Sequence, residues 1–224
     1  MPSRLALPKR ILWLVCLWLL CLAAPMQAQG SIITGDQLTR IEQLGADNQT
    51  IVLAYDSQGN LIEKQSGAQT TSYQWDANDR LTSVSQDGTL LGQYRNNAQG
   101  LRVEKHASDP LHPGAPPQKT TWLWDQDTPI QESNAAATVV ARYEFAGREP
   151  IGLLHAQDGA QSLHPDGLGS IVLTTDTGGN IHRETIFDAW GNTIAESGPP
   201  ANRLGYTGHQ MDQESGLIYM QARY

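Results

Sequence analysis

Cysteine is nearly missing from this chain of 224 residues, and the two present, Cys16 and Cys21, both fall within the first 28. The remainder therefore has no disulfide framework and no thiolate with which to build a metal site. Phenylalanine is down to two residues and charged side chains to 17%. Basic residues are the scarcer charge, with 12 Lys and Arg after residue 28 against 23 Asp and Glu. A surface so acidic repels phosphate backbones, which excludes nucleic acid as an expected partner. Beyond Gly30 no apolar run lasts more than a few residues and no three-to-four-residue periodicity is sustained, so amphipathic helices are not expected to build the fold. With 39% hydrophobic residues, 21 Gly and 12 Pro, wholesale disorder and a collagen-like repeat are also excluded.

The first 28 residues differ from the rest. Arg4, Lys9 and Arg10 precede an apolar stretch from Ile11 to Ala24, no acid is present, and small Ala28 follows Met26 at a cleavage-like spacing. This is the layout of a secretory signal peptide, and the apolar stretch is short of the ~20 residues of a membrane span. The expectation is export to the periplasm, cell surface or exterior, with the signal cleaved in preference to being kept as an anchor. A remainder of this length, free of cysteine, must be stabilised by a packed core.

What recurs after the signal is a two-residue period interrupted by turns. Ile51, Leu53 and Tyr55 alternate with Val52 and Ala54, and Leu61 opens the next run. The turns share the form Asp-x-x-Gly at Asp56–Gly59, Asp166–Gly169, Asp176–Gly179 and Asp188–Gly191, with an amide version at Asn97–Gly100. Asp at the first position bonds forward to the backbone, and Gly at the fourth accepts the left-handed conformation that closes a hairpin through a bulge. Asp76–Asp79 is a variant with Asp in the fourth place, and Asp87-Gly88 reads as a two-residue hairpin turn. Pairs of aromatics two apart, Tyr73 with Trp75, Trp122 with Trp124 and Tyr143 with Phe145, enter these turns on one strand face, and Asp76 and Asp125 follow them. The turns at Asp56, Asp76 and Asn97 lie 20 and 21 residues apart, so one repeat is about one hairpin.

The chain thus divides into a signal at 1–28, a lead-in at 29–50, hairpins at 51–105, a Pro-rich inserted loop at 106–119 and further hairpins at 120–224. The fold class expected is all-β, an antiparallel array of β-hairpins. The Asp-x-x-Gly turns supply too few oxygens each for calcium. The six histidines never pair at metal-ligand spacing, so neither a metal nor a cofactor is expected. His164 with Asp166 is the nearest approach to an acid/base pair, and a structural hydrogen bond is the preferred reading. Ser170 lacks the flanking glycines of a nucleophile elbow, and Gly167 and Gly169 lack the third glycine of a dinucleotide loop, so no catalytic residue is assigned. The aromatic stripe Tyr73, Trp75, Trp122, Trp124 suits cross-strand packing, with a glycan-binding face as the alternative.

These motifs resemble the RHS/YD-repeat family of bacteria, whose β-shell recurs in the animal teneurins. The general unit, Tyr-Asp-x-x-Gly-Asn-Leu, is intact at Tyr55, Asp56, Gly59, Asn60 and Leu61. The specific resemblance is to the RHS-associated core segment. It runs through Leu163, His164, Asp166, Leu168, Gly169 and Ser170, then Asp188, Trp190, Gly191 and Asn192. It continues through Gly208, Gly216, Leu217 and Tyr219 to Arg223 and Tyr224. The resemblance implies that the array spirals into part of a hollow shell around a toxin or effector polypeptide, or that it meets another shell segment. It also implies that the sequence stops before the family's self-cleavage motif and toxic domain, so no residue here takes a cleavage role. The function expected is a non-enzymatic exported shell segment of a toxin-encapsulating or cell-surface interaction protein. The alternatives are an exported carbohydrate-binding or adhesin module, and a truncated remnant of a larger toxin with an unpaired sheet edge at 216–224.

Overall fold

The computed structural model describes residues 29–34, 37–43, 49–109, 114–199 and 203–221. The proposed signal peptide, Arg223 and Tyr224 lie outside them. The described residues are strand and turn apart from one 3-10 turn, η1, at Tyr206–Gly208. They fall into two compact units. The smaller takes the residues up to 54 together with 64–68. In it β1 (Gln29–Thr34), β2 (Gln37–Gln43) and β3 (Thr50–Tyr55) pair in sequence, so the stretch read as a lead-in contains two strands. Residues of β4 (Leu61–Ser66) are assigned to both units.

The larger unit is a meander in which every strand pairs antiparallel with the next. It begins with β5 (Gln69–Trp75), β6 (Leu81–Gln86), β7 (Thr89–Asn96), β8 (Arg102–Ala107), β9 (Gln118–Asp125) and β10 (Thr128–Asn134). It continues with β11 (Val139–Ala146), β12 (Glu149–His155), β13 (Gly159–Pro165), β14 (Ile171–Asp176), β15 (Ile181–Phe187) and β16 (Thr193–Ser197). After η1, a separate hairpin of β17 (Gln210–Asp212) and β18 (Leu217–Tyr219) completes the described chain. The all-β hairpin array read from the sequence is the observed fold. The Pro-rich insertion is narrower than expected, because His106 pairs with Lys119 and Ala107 with Gln118. Ladder pairing takes hold once the prolines end, leaving 108–109 and 114–117 irregular among the described residues.

The turns explain the meander. Asp56 Oδ1 accepts hydrogen bonds from the backbone N–H groups of Gln58 and Asn60 at 3.0 and 2.8 Å. Asp166 does the same for Leu168 and Ser170, and Asp188 for Trp190 and Asn192. Gly59, Gly169 and Gly191 have φ of 91, 86 and 85°, conformations in which a side chain is strained. Asp79 fills the same place at φ 58°. One turn of this class escapes sequence reading: Asn134 Oδ1 accepts from Ala136 and Thr138, with Ala137 at φ 58° in place of a glycine. One expected turn differs. Asp125 pairs with Thr128 across the two-residue turn Gln126-Asp127, because no glycine or asparagine stands three residues on.

The turns at Asp76, Asn97, Asp166, Asp176 and Asp188 are each followed by a bulge. Trp75 faces Leu81 while Gln74 faces Ser83; Asn96 faces Arg102 while Arg95 faces Glu104. The extra residue shifts the alternation by one, and in three hairpins the second residue after the turn is buried. Leu81 and Ile171 hold that position in two hairpins, and Arg102 holds it in a third. Two apolar clusters result, one of Tyr73, Leu81, Val84 and Tyr94, the other of Ala141, Tyr143, Leu153, Leu163, Ile171 and Leu204.

Two glycine substitutions separate backbone strain from crowding. A Cβ at Gly179 (φ 80°) meets nothing within 4 Å, whereas one at Gly191 lies 2.7 Å from Tyr206 and Ile218. Gly179→Ala should cost only the left-handed penalty of about 1–2 kcal/mol. Gly191→Ala should cost clearly more, because it also displaces the returning segment; urea denaturation of both variants checks this.

Candidate functional site

After β16 the chain returns across the buried face of the meander, and residues 203–221 bind both clusters. Leu204 belongs to the second cluster and Leu217 packs against the first. Between them lies a buried set of charges. Arg102 is fully buried, and its guanidinium donates to Asp212 Oδ2 at 2.5 Å and to Gln210 Oε1 at 2.8 Å. Its Cζ sits 4.3, 4.8 and 5.4 Å from the ring centroids of Tyr219, Trp122 and Tyr94. Lys105 Nζ donates to Asp212 Oδ1 at 2.7 Å and pairs with Glu214 at 3.0 Å, and Tyr94 donates its hydroxyl hydrogen to Glu214. The bulge opposite Asn96 puts Arg102 and Lys105 on one face, although their odd spacing would place them on opposite faces of a regular strand.

Two cations therefore meet two carboxylates away from water. Burial pushes the Asp212 carboxyl up, but Arg102 and Lys105 outweigh it and hold Asp212 below the usual range, hence ionised. Such a group has little net value over an apolar core, yet removing one member leaves a buried charge unpaired, which costs about 3–5 kcal/mol. A second ionic contact ties the start of the segment: Arg203 Nε meets buried Glu132 at 3.0 Å, and Tyr143 donates to the same carboxylate at 2.9 Å. Burial and Glu132 together raise the Tyr143 pKa well above its ordinary value.

Backbone contacts complete the attachment. The Ile171 N–H donates to Gly205 O at 3.0 Å, the Thr207 N–H to Ser170 Oγ at 3.1 Å, and Tyr206 Oη to Ala189 O at 2.9 Å. Tyr219 Oη accepts the Arg102 N–H at 2.7 Å, and its ring stands edge-on to Trp124. Trp124 Nε1 in turn donates to Arg102 O, as Trp75 Nε1 does to Leu61 O, the same place in another repeat.

The residues singled out from sequence are divided by this geometry. Tyr73 and Trp122 are buried, so the stripe packs inward. Tyr55 and Asn60 belong to the first turn, where Asn60 also donates to Asp79 of the next turn at 2.8 Å. His164 and Asp166 bond to different partners: His164 Nε2 lies 2.9 Å from Thr175 Oγ1, and Asp166 serves its turn. β13 ends at Pro165 and Asp166 opens the following turn, so its carboxylate is engaged by backbone N–H groups of that turn. Ser170 is buried and accepts from Thr207, a positioning contact. Gly208 and Gly216 take φ of 72 and 69° where the segment turns, and Leu168 and Trp190 are 71 and 74% exposed. In the described part of 216–224, β18 pairs with β17 along one side.

Arg102, Lys105, Gln210 and Glu132 were missed. The signal lay in the repeat frame itself: Asn96 stands where other units have Tyr or Trp, and Arg102 stands in the Leu position of Tyr-Asp-x-x-Gly-Asn-Leu. Among the described residues no three His, Cys, Asp or Glu side chains are grouped to hold a metal. Asp212 commits both carboxylate oxygens to cations, an arrangement suited to fastening one segment onto another.

Stacked hairpins joined by Asp-x-x-Gly turns and pinned by a returning segment define a repeat protein of the β class. More particularly, it is similar to the RHS-repeat proteins, and the RHS Repeat family description matches residues 55–89. The tRNA nuclease WapA of Bacillus subtilis (strain 168) is 29% identical over 179 residues, covering 77% of this chain and 7% of WapA. The toxin protein Tse5 of Pseudomonas aeruginosa is 26% identical over 217 residues, covering 82% of this chain and 15% of Tse5. The chain thus spans a small fraction of the length of these relatives. Among solved structures, TcdB2-TccC3-Cdc42 superposes with a TM-score of 0.58 at 18% identity, over 88% of this chain and 11% of that one. TcdB2-TccC3 gives 0.56 over 88% and 12%. The fold is therefore that of an RHS/YD shell segment.

Two variants probe the site. Asp212→Asn should lower the unfolding free energy by about 3 kcal/mol, read from urea melts. It should also expose 203–221 to protease before the sheet. Glu104 is held down at about 2 by Lys119, Arg95 and His106. Because its folded pKa lies below its ordinary value of about 4.3, its contribution is complete above that pH and is lost as pH falls toward 2. Glu104→Gln should accordingly flatten the acid limb of stability between those values.

Proposed function

We propose that the chain is an exported, non-enzymatic segment of an RHS/YD β-shell serving a toxin-delivery or cell-surface interaction protein. In this reading the meander supplies wall and residues 203–221 lock it. The observation that carries the reading is the charge-balanced cluster of Arg102, Lys105, Asp212 and Glu214, buried between sheet and returning segment. It supplies fastening without a reactive group. The toxin named among the relatives, Tse5, and the nuclease WapA support the delivery context, because both are far longer than the part this chain matches. A toxic activity of the WapA kind would then belong to another part of such a protein, and the partner of this segment would be a toxin or effector polypeptide or a further shell segment. Export rests on the basic and apolar layout of residues 1–28.

Fractionation of bacteria producing the C-terminally tagged chain tests the exported part. The expected result is a periplasmic or extracellular product beginning at Gln29. A cytoplasmic product retaining Met1 would overturn export. A purified chain that cleaves tRNA would overturn the non-enzymatic reading.

A further inference from the structure

A cleft of about 730 Å³ lies between the last three strands of the meander, β14–β16, and the returning segment. That volume is ordinary for a small-molecule site. Its walls are mostly apolar, with Ile171 and Phe187 on β14 and β15, Ile194 on β16, and Leu204, Met211 and Leu217 on the returning segment. All five residues of β16 are exposed, Ile194 at 66%, so the cleft is open to water along that strand.

One stretch of the wall is polar and buried. Thr174 and Arg183 stand opposite each other in the β14–β15 ladder, both line the cleft, and they are 2 and 9% exposed. Arg183 donates from Nε to Thr185 Oγ1 and from Nη2 to Glu196. Its Nη1 has no hydrogen-bond partner among the described residues, and neither has Thr174 Oγ1. A buried donor without a partner costs free energy that a bound acceptor recovers. The charges lining the cleft decide which acceptor fits. Asp212 has both oxygens committed to Arg102 and Lys105, and Arg203 is bonded through Nε to Glu132. Glu196 pairs with Arg183, but its side chain is 51% exposed, so water screens that carboxylate more than the buried guanidinium beside it. A guanidinium N–H and a hydroxyl side by side offer two donors to the two oxygens of a carboxylate. A doubly charged head group would suit the cleft less well, because each arginine already has an acidic partner.

We propose that this cleft binds a carboxylate carried on an apolar chain, with the head group on Arg183 Nη1 and Thr174 Oγ1 and the chain along Phe187, Ile194 and Met211. A fatty acyl chain and the C-terminus of an apolar peptide share this chemistry, and the test separates them. The inference goes beyond the shell reading and does not depend on export.

The test titrates the full chain with decanoate below its micelle concentration, with decanol and decylamine, and with acetyl-trileucine bearing a free or an amidated C-terminus. Calorimetry gives the affinities, and the methyl NMR signals of Ile194 and Met211 place the ligand. Decanoate or the free trileucine should bind at least tenfold tighter than its uncharged counterpart and shift both methyl signals; the tighter of the two identifies the source. Arg183→Met should weaken that ligand at least tenfold and its uncharged counterpart less than twofold. Glu196 is half exposed and stays solvated without its partner, and a matching melting temperature shows that the fold is kept. Should Arg183→Met not fold, the comparison of head groups on the unaltered chain still decides. Equal affinity for charged and uncharged head groups, tighter binding of decylamine, binding that leaves both methyl signals in place, or no binding would overturn the proposal.

Discussion

The return of the chain onto its own sheet depends on Arg102. Its guanidinium holds Asp212 and Gln210 in one plane while Tyr219, Trp122 and Tyr94 surround the flat group. Arginine suits the place because a delocalised, weakly hydrated cation tolerates aromatic faces and offers a fork of donors to a carboxylate. Lys105 then neutralises the other oxygen of Asp212 and reaches Glu214. The charges balance locally, and local balance is the condition under which such burial is tolerable. An apolar contact would have given comparable stability but no fixed register. Here the spacing of Asp212 and Glu214 along the returning chain must match Arg102 and Lys105 on one strand.

The same constraint explains a core that is unusually polar for a sheet protein. Glu132, Lys105, Arg102 and Asp212 are as deeply buried as Leu81 and Val84. A single meander has one layer of strands, and its buried face is covered here by a short segment of 3-10 turn and hairpin. That segment brings few large apolar side chains, chiefly Leu204, Leu217 and Tyr219, so polar pairs fill the interval between the two apolar clusters.

Structure and repeat are related in a particular way. Where the repeat is regular, as in the turns at Asp56, Asp166 and Asp188, it builds wall by the same local bonds each time. Where it departs from its pattern, at Asn96 and Arg102, the wall acquires an attachment point. Arg102 keeps the backbone of the Leu position, bulge included, and changes only the chemistry presented to the interior. A repeat protein acquires a specific site in this way without disturbing its ladder.

The hairpin array, its turn type and the inward packing of the aromatic pairs were legible in the sequence because each is decided within a few residues. Asp bonds its own turn, glycine accepts the left-handed conformation, and aromatics two apart share a strand face. The turn at Asn134 and the two-residue turn after Asp125 were not legible, because alanine and glutamine there adopt positive φ with no residue type to announce it. His164 and Asp166 appeared paired from their spacing alone, but Asp166 opens a turn and gives its carboxylate to the backbone there, while His164 reaches Thr175 on the next strand. The site was least legible of all. Arg102 and Asp212 are 110 residues apart in the chain, and each alone reads as an ordinary surface charge. Sequence by itself determined the repeating unit, whose forces are local. Tertiary structure alone decided which charges are buried together, because that depends on the bulged register of β8 and on where the returning segment crosses it.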